Sequence, residues 1–174
     1  RNEALDFGTA DRLIRSLEEP TSNDWLTRAR EADDLLSLKA LAALPEVRDK
    51  LTEPKRVQLL WDVCRIPDFR SSTGPEHTTL LTKIFEFLVG RGLGGGRMPS
   101  DWLAQAIKRI DKTEGDIDAL SRRLAHIRTW TYVSQRKNWV EDESHWRDET
   151  RAVEDRLSDA LHAALTQRFV DRRT

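Results

Sequence analysis

Apolar residues recur along this chain three and four positions apart, and no stretch sustains the every-other-residue alternation of a half-buried strand. The pattern predicts helix after helix. Thr9 is placed to cap a first helix reaching about Glu19, with Leu13, Ile14 and Leu17 inward and Pro20 as the stop. Ser22 or Asn23 opens a longer one through Leu44, with Trp25, Leu26, Ala29, Leu36, Ala40 and Ala43 as its apolar stripe. Pro45 starts a short turn to Leu51. Thr52 then caps a helix from Glu53 to Ile66 that buries Val57, Leu60, Trp61 and Cys64. Thr73-Gly-Pro-Glu76 has capping-box spacing ahead of Leu80, Leu81, Ile84, Phe85 and Leu88, and Gly90 ends that helix. Ser100 caps the next, with Trp102, Leu103, Ala106, Ile107 and Ile110 inward. Asp116 opens a helix to about Val133 through Ile117, Leu120, Leu124, Ile127 and Thr131. Asp142 or Ser144 opens the last, through Val153, Leu157, Leu161, Ala164 and Leu165 to about Val170. The expected fold class is all-α, a bundle of seven to eight helices forming one domain over residues 1–174. Five of the seven residues from Gly90 to Gly96 are glycine, so residues 90–97 are expected to be a flexible loop inside that domain.

Composition narrows the function classes. The chain has 174 residues, and six Trp with five Phe supply a core although charged residues make up 34%. The longest run free of Asp, Glu, Lys and Arg, Ala160 to Gln167, is far short of the roughly 18 apolar residues of a membrane span. No signal peptide is visible. A single cysteine, Cys64, rules out an intrachain disulfide and fits a reducing, cytoplasmic setting. The only methionine is Met98, so the chain opens without an initiator Met, as processing or excision of a fragment from a longer protein would both explain. A net charge of −1 says nothing about nucleic acid until its distribution is considered.

Motifs of catalysis are thin. Gly90, Gly92 and Gly95 formally spell GxGxxG, but a dinucleotide site needs that loop between a strand and a helix, and here a helix precedes it. A flexible connector is the better reading, with Arg91 and Arg97 at its edges open to phosphate-backbone contact. His145 and Glu149 share metal-ligand spacing without a third or fourth ligand at a telling distance, so they read as solvated. Cys64 reads as a buried structural thiol. No nucleophile elbow, HExxH or paired carboxylates occur, so no catalytic, cofactor-binding or metal-ligating residues are assigned.

Charge is the informative signal. Ser121 to Val140 holds five basic residues (Arg122, Arg123, Arg128, Arg136, Lys137) and no acidic one, whereas Glu141 to Asp159 holds eight acids against three arginines. Trp130, Tyr132 and Trp139 interleave with the basic residues. Cations that follow phosphates and rings that stack on bases suit a single-stranded nucleic acid. The plainer alternative is that the rings are core and the arginines serve the acidic helix next door; on spacing alone it is the stronger of the two. On the first reading the contact residues are the five from Arg122 to Lys137, joined by Arg168, Arg172 and Arg173.

The runs Leu124-Ala-His126-Ile-Arg128-Thr-Trp130-Thr-Tyr132-Val133, Trp139, and Leu165-Thr-Gln-Arg168-Phe169-Val170-Asp-Arg172-Arg173 resemble the C-terminal all-helical region of the mitochondrial degradasome RNA helicase (the suppressor-of-Var type) and its bacterial relatives. Leu59-Leu-Trp61-Asp-Val-Cys-Arg65-Ile-Pro67-Asp-Phe69-Arg70 and Gly115-Asp-Ile-Asp-Ala-Leu-Ser-Arg-Arg123 are similar to the bacterial branch. The resemblance runs from about Leu35 onward. It implies a non-catalytic accessory domain that follows two RecA-like motor domains of a superfamily-two helicase and helps close a channel for single-stranded RNA or DNA. ATP and Mg would then belong to the motor domains of the parent protein, this chain holding no cofactor and hydrolysing no ATP alone. The implied partners are the strand, the motor domains in cis and, on the alternative reading of the chain as a docking module, a nuclease; no membrane is implied. An independent helical enzyme is the third and weakest reading.

Overall fold

A computed structural model describes residues 5–18, 33–70, 75–90 and 96–173, the side chains at 172 and 173 excepted. Among these residues there are eight helices and no β-strand: α1 (Ala10–Glu18), α2 (Asp33–Ala42), α3 (Pro45–Arg48), α4 (Pro54–Cys64), α5 (Glu76–Val89), α6 (Ser100–Ile110), α7 (Ile117–Ser134) and α8 (Glu143–Arg173). The all-α expectation and its helix number hold. The expected helical start at Ser22 or Asn23, Trp25, Leu26, Ala29, the Thr73 cap and the centre of the glycine run lie outside the described residues. The described residues fall into two compact units: α1 to α5 with the chain up to Asp68 and through Gly96, and α6 to α8 from Arg97 onward with Phe69 and Arg70.

In the first unit α2 packs on α1, α3, α4 and α5, and α4 packs on α5. Thr9 caps α1 as expected, its Oγ1 accepting from the Arg12 N–H at 3.1 Å. Asp11 Oδ2 sits 3.8 Å from Arg48 Nη2. The α2 stripe is rotated from the expected one. Leu35, Leu38, Leu41 and Ala42 are buried, whereas Leu36 is 46% exposed and Ala40 and Ala43 are exposed. Apolar residues stand on more than one side of this helix, and the face carrying three leucines removes more area from water than a face of alanines does, about 1.5–3 kcal/mol per leucine. Leucine burial sets the rotation. Thr52 is not the α4 cap. Pro54 takes the first helical position, which leaves Glu53 at the N-cap in extended conformation, and the Thr52 hydroxyl accepts from Arg56 Nη1 at 3.4 Å. Val57, Leu60, Trp61 and Cys64 are buried as expected.

Gly90 ends α5 at φ 72°, and the backbone then returns so that the Gly96 N–H donates to the Leu88 carbonyl at 2.9 Å. A Cβ on Gly96 would lie 2.2 Å from the Phe87 carbonyl oxygen, which is backbone and cannot swing aside. Gly96→Ala is expected to cost about 1–3 kcal/mol. Gly8→Ala, where the nearest atoms belong to the Arg12 and Asp6 side chains, is expected to change stability by less than about 0.5 kcal/mol. Urea denaturation of the two variants checks the contrast.

In the second unit α8 folds back along α7, and α6 lies against α7. α6 and α8 run the same way: Trp146 Nε1 donates to Ser100 Oγ at 3.1 Å at one end, and Arg156 pairs with Asp111 at 2.9 Å at the other. Ser100 is therefore not a cap. Pro99 holds the N-cap position, and the serine hydroxyl is used to anchor the indole. The core between the helices comprises Leu103, Ile107 and Ile110, then Leu120, Leu124, Ile127, Trp130 and Val133, then Trp146, Val153 and Leu157. Past Leu157 the α8 stripe opens: Leu161 and Ala164 are half-buried and Leu165 is 48% exposed.

Candidate nucleic-acid interface

The basic segment is built on α7. Asp116 caps it as expected, with Oδ1 accepting from the Ala119 N–H at 2.8 Å. Its buried row fixes which residues look outward: Asp118, Ser121, Arg122 and Arg128 are exposed, and Ala125 and Tyr132 are half-buried between them. At about 100° per residue Arg122 and Arg128 stand about 120° apart around the helix and about 9 Å apart along it, flanking a strip of Ser121, Ala125 and Tyr132. Lys137, just past the helix, is exposed as well. No carboxylate is carried between Ser121 and Val140.

Three of the other expected contact residues have structural work within this unit. Arg123 Nη1 donates to the Lys112 carbonyl at 2.8 Å and to the Glu114 carbonyl, closing the loop between α6 and α7. Arg136 is half-buried, its guanidinium 4.9 Å from the centre of the Trp139 ring. Arg97 Nη2 donates to Asn138 Oδ1 at 2.9 Å and Nη1 lies 3.8 Å from Glu143 Oε1, which also accepts from the Asn138 N–H at 2.7 Å. This clamp sits beside the isolated bridge between Met98 and Val140, where the Met98 N–H reaches the Trp139 carbonyl at 2.8 Å. Asn138 and Asp142 take positive φ there, at 67° and 55°. Arg168 is exposed on α8. Arg172 and Arg173 occupy its end, their side chains outside the description, and Arg91 is outside it too.

The two indoles do not form a stacking surface. Trp130 is 2% exposed and Trp139 6%, and Trp130 meets Trp102 edge to face with centroids 5.2 Å apart. The half of the plainer reading that made the indoles core is correct. The half that paired the arginines with the acidic helix does not describe Arg123, which bonds loop carbonyls. Among the acids, Glu154 accepts from the Thr131 hydroxyl at 3.2 Å, Glu149 lies 3.8 Å from Arg156, and Glu143 lies 3.6 Å from Arg147. His145 is exposed and rests edge-on against Trp146; among the described residues no group of three or more His, Cys, Asp or Glu is placed to hold a metal ion. Cys64 is buried, and burial pushes its thiol well above the ordinary range, so it is inert as a nucleophile.

One contributor escaped the sequence reading. His126, half-buried one turn after Arg122, has its pKa pulled down to about 4, first by burial and then by the positive charge of Arg70. Arg70 and His126 are far apart in sequence, and no spacing rule joins them. The folded ring holds its proton less tightly than the unfolded one at 6.5. The unfolded chain therefore binds the extra proton between these values, and stability falls as pH drops from about 6.5 to about 4. With solvent screening of a half-buried ring allowed for, this contribution is roughly 1–2 kcal/mol. His126→Gln is expected to flatten the acid side of the stability profile by that amount, measured as urea midpoints at pH 7 and pH 4.5.

Compared with protein-family models, curated proteins and solved structures, the chain matches none. Among the described residues no helix is long and apolar enough to cross a membrane.

Proposed function

We propose that this chain is a non-catalytic helical domain that contacts single-stranded nucleic acid through the outer face of α7, within an ATP-dependent helicase of the resembled type. The observation that carries the reading is the exposed placement of Arg122, Arg128 and Lys137 on a segment that bears no carboxylate from Ser121 to Val140. Cations so placed follow a phosphate backbone by charge, and with Trp130 and Trp139 withdrawn into the core the contact is backbone-directed and indifferent to base identity. Arg168, and the ends of α8 and the glycine run, are secondary candidates. A labelled twelve-nucleotide uridine strand titrated at 50 mM and 200 mM salt tests it. Affinity should fall with salt along a slope of about 2, the sum of about 0.7 for each of three contacts. A flat salt response, or no binding at 50 mM, overturns the proposal.

The protein-docking reading keeps one observation in its favour. Leu165, Phe169 and Val170 on the outer half of α8 are 48%, 60% and 49% exposed, and Leu161, Leu165 and Phe169, four apart, share one row. Salt-insensitive capture of a protein partner lost in Leu165→Ser would favour that reading.

A further inference from the structure

Of the three aromatic residues that interleave with the basic segment, Trp130 and Trp139 are core and Tyr132 alone stays at the surface. It is the only tyrosine in the chain and is half-buried. On α7 it follows Arg128 by four residues, about 6 Å along the axis, so the two share one row. Lys137 is exposed beyond it, and Ala125 and Ser121 carry the same strip back towards the helix start. An aromatic side chain in a helix leans back over the preceding turn. The Tyr132 ring therefore rests one side on the turn of Arg128 and leaves the other towards solvent, in keeping with its partial burial. Among the described residues no hydrogen bond or ring contact engages its side chain, so packing alone holds it.

We propose that Tyr132 is a stacking platform for one base of the single strand, between a phosphate on Arg128 and a phosphate on Lys137. The inference rests on the reading of α7 as the nucleic-acid face and adds a base contact to a site whose other members touch only the backbone. Cations on both sides of the ring hold the strand along the strip, and the base between them meets an aromatic face. Every base has a π-face, so the contact adds affinity without selecting sequence. The segment carries no carboxylate from Ser121 to Val140, so nothing on it repels the strand from the ring. Partial burial already restricts the side chain, so less of its freedom is lost on binding than at the fully exposed Lys137.

The test uses the full chain, the labelled twelve-nucleotide uridine strand, and a strand of equal length whose sugar–phosphate backbone carries no bases. The variants are Tyr132→Leu, Tyr132→Phe and the triple variant with Gln at Arg122, Arg128 and Lys137. Tyr132→Leu should weaken binding of the uridine strand roughly 5- to 100-fold and leave binding of the baseless strand unchanged. The salt slope should stay in place, because no phosphate contact is lost. Tyr132→Phe, which keeps the ring, should recover the loss. With fluorotyrosine in place of tyrosine the chain has a single fluorine resonance, which should move further with the uridine strand than with the baseless one. If Tyr132→Leu weakens both strands alike, the ring serves the fold and stacking is refuted. If Tyr132→Phe binds as weakly as Tyr132→Leu, the hydroxyl is the contact and stacking is refuted as well. If Tyr132→Leu weakens neither strand while the triple variant loses binding, stacking is refuted and the α7 reading stands. If the triple variant binds as the unmodified chain does, the α7 reading falls and the platform with it.

Discussion

Trp130→Ala is expected to destabilise the α6–α8 unit by about 3–5 kcal/mol and not to act as a loss of nucleic-acid contact. The indole is 2% exposed, packs edge to face on Trp102, and fills the space between α7 and its neighbours. Truncation removes that apolar area from the core and leaves a cavity that the helices can close only partly. The orphaned indole N–H offsets part of this cost, because removing it relieves one unsatisfied donor of about 1–3 kcal/mol, and the net change stays destabilising. Were Trp130 a stacking residue, the same change would leave stability within about 0.5 kcal/mol and weaken strand binding by about 1–3 kcal/mol. Chemical denaturation and strand titration of one variant separate the two.

How far the sequence could be read depended on whether the deciding contact was local. Asp116 and Thr9 were legible as caps because a short polar side chain three residues from a free N–H needs nothing beyond its own turn. Ser100 and Thr52 looked equivalent, yet Pro99 just before the one and Pro54 two residues after the other moved the helix start, and their hydroxyls went to Trp146 and Arg56. In α2 two apolar faces competed, and only packing showed that the leucine face wins over the one containing Ala40 and Ala43. The basic segment shows the same limit. A cluster of five cations is visible in the sequence, but Arg123 closing a loop 9–11 residues back and Arg136 over Trp139 depend on the fold. The influence of Arg70's charge on His126 depends on it entirely.

The triple substitution of Arg122, Arg128 and Lys137 by Gln is expected to have the largest effect on function. All three side chains are exposed, and none is a core residue, so stability should change by less than about 0.5 kcal/mol each. Each lost phosphate contact lowers the single-strand salt slope by about 0.7 and costs about eightfold at 50 mM salt, so together affinity should fall on the order of a hundredfold or more. The loss should be alike for uridine and adenine strands, since backbone contacts carry no sequence information. Arg123→Gln offers the contrasting case: it unties the Lys112 and Glu114 carbonyls and should act first on stability.

The measurement closest to the central claim is an amide chemical-shift footprint of the full chain with the twelve-nucleotide uridine strand at low salt. The largest shifts are expected on Ser121, Arg122, Ala125, Arg128, Tyr132 and Lys137. Shifts confined to the Leu165–Val170 end of α8, or absent from α7 while the strand is bound, would contradict that claim.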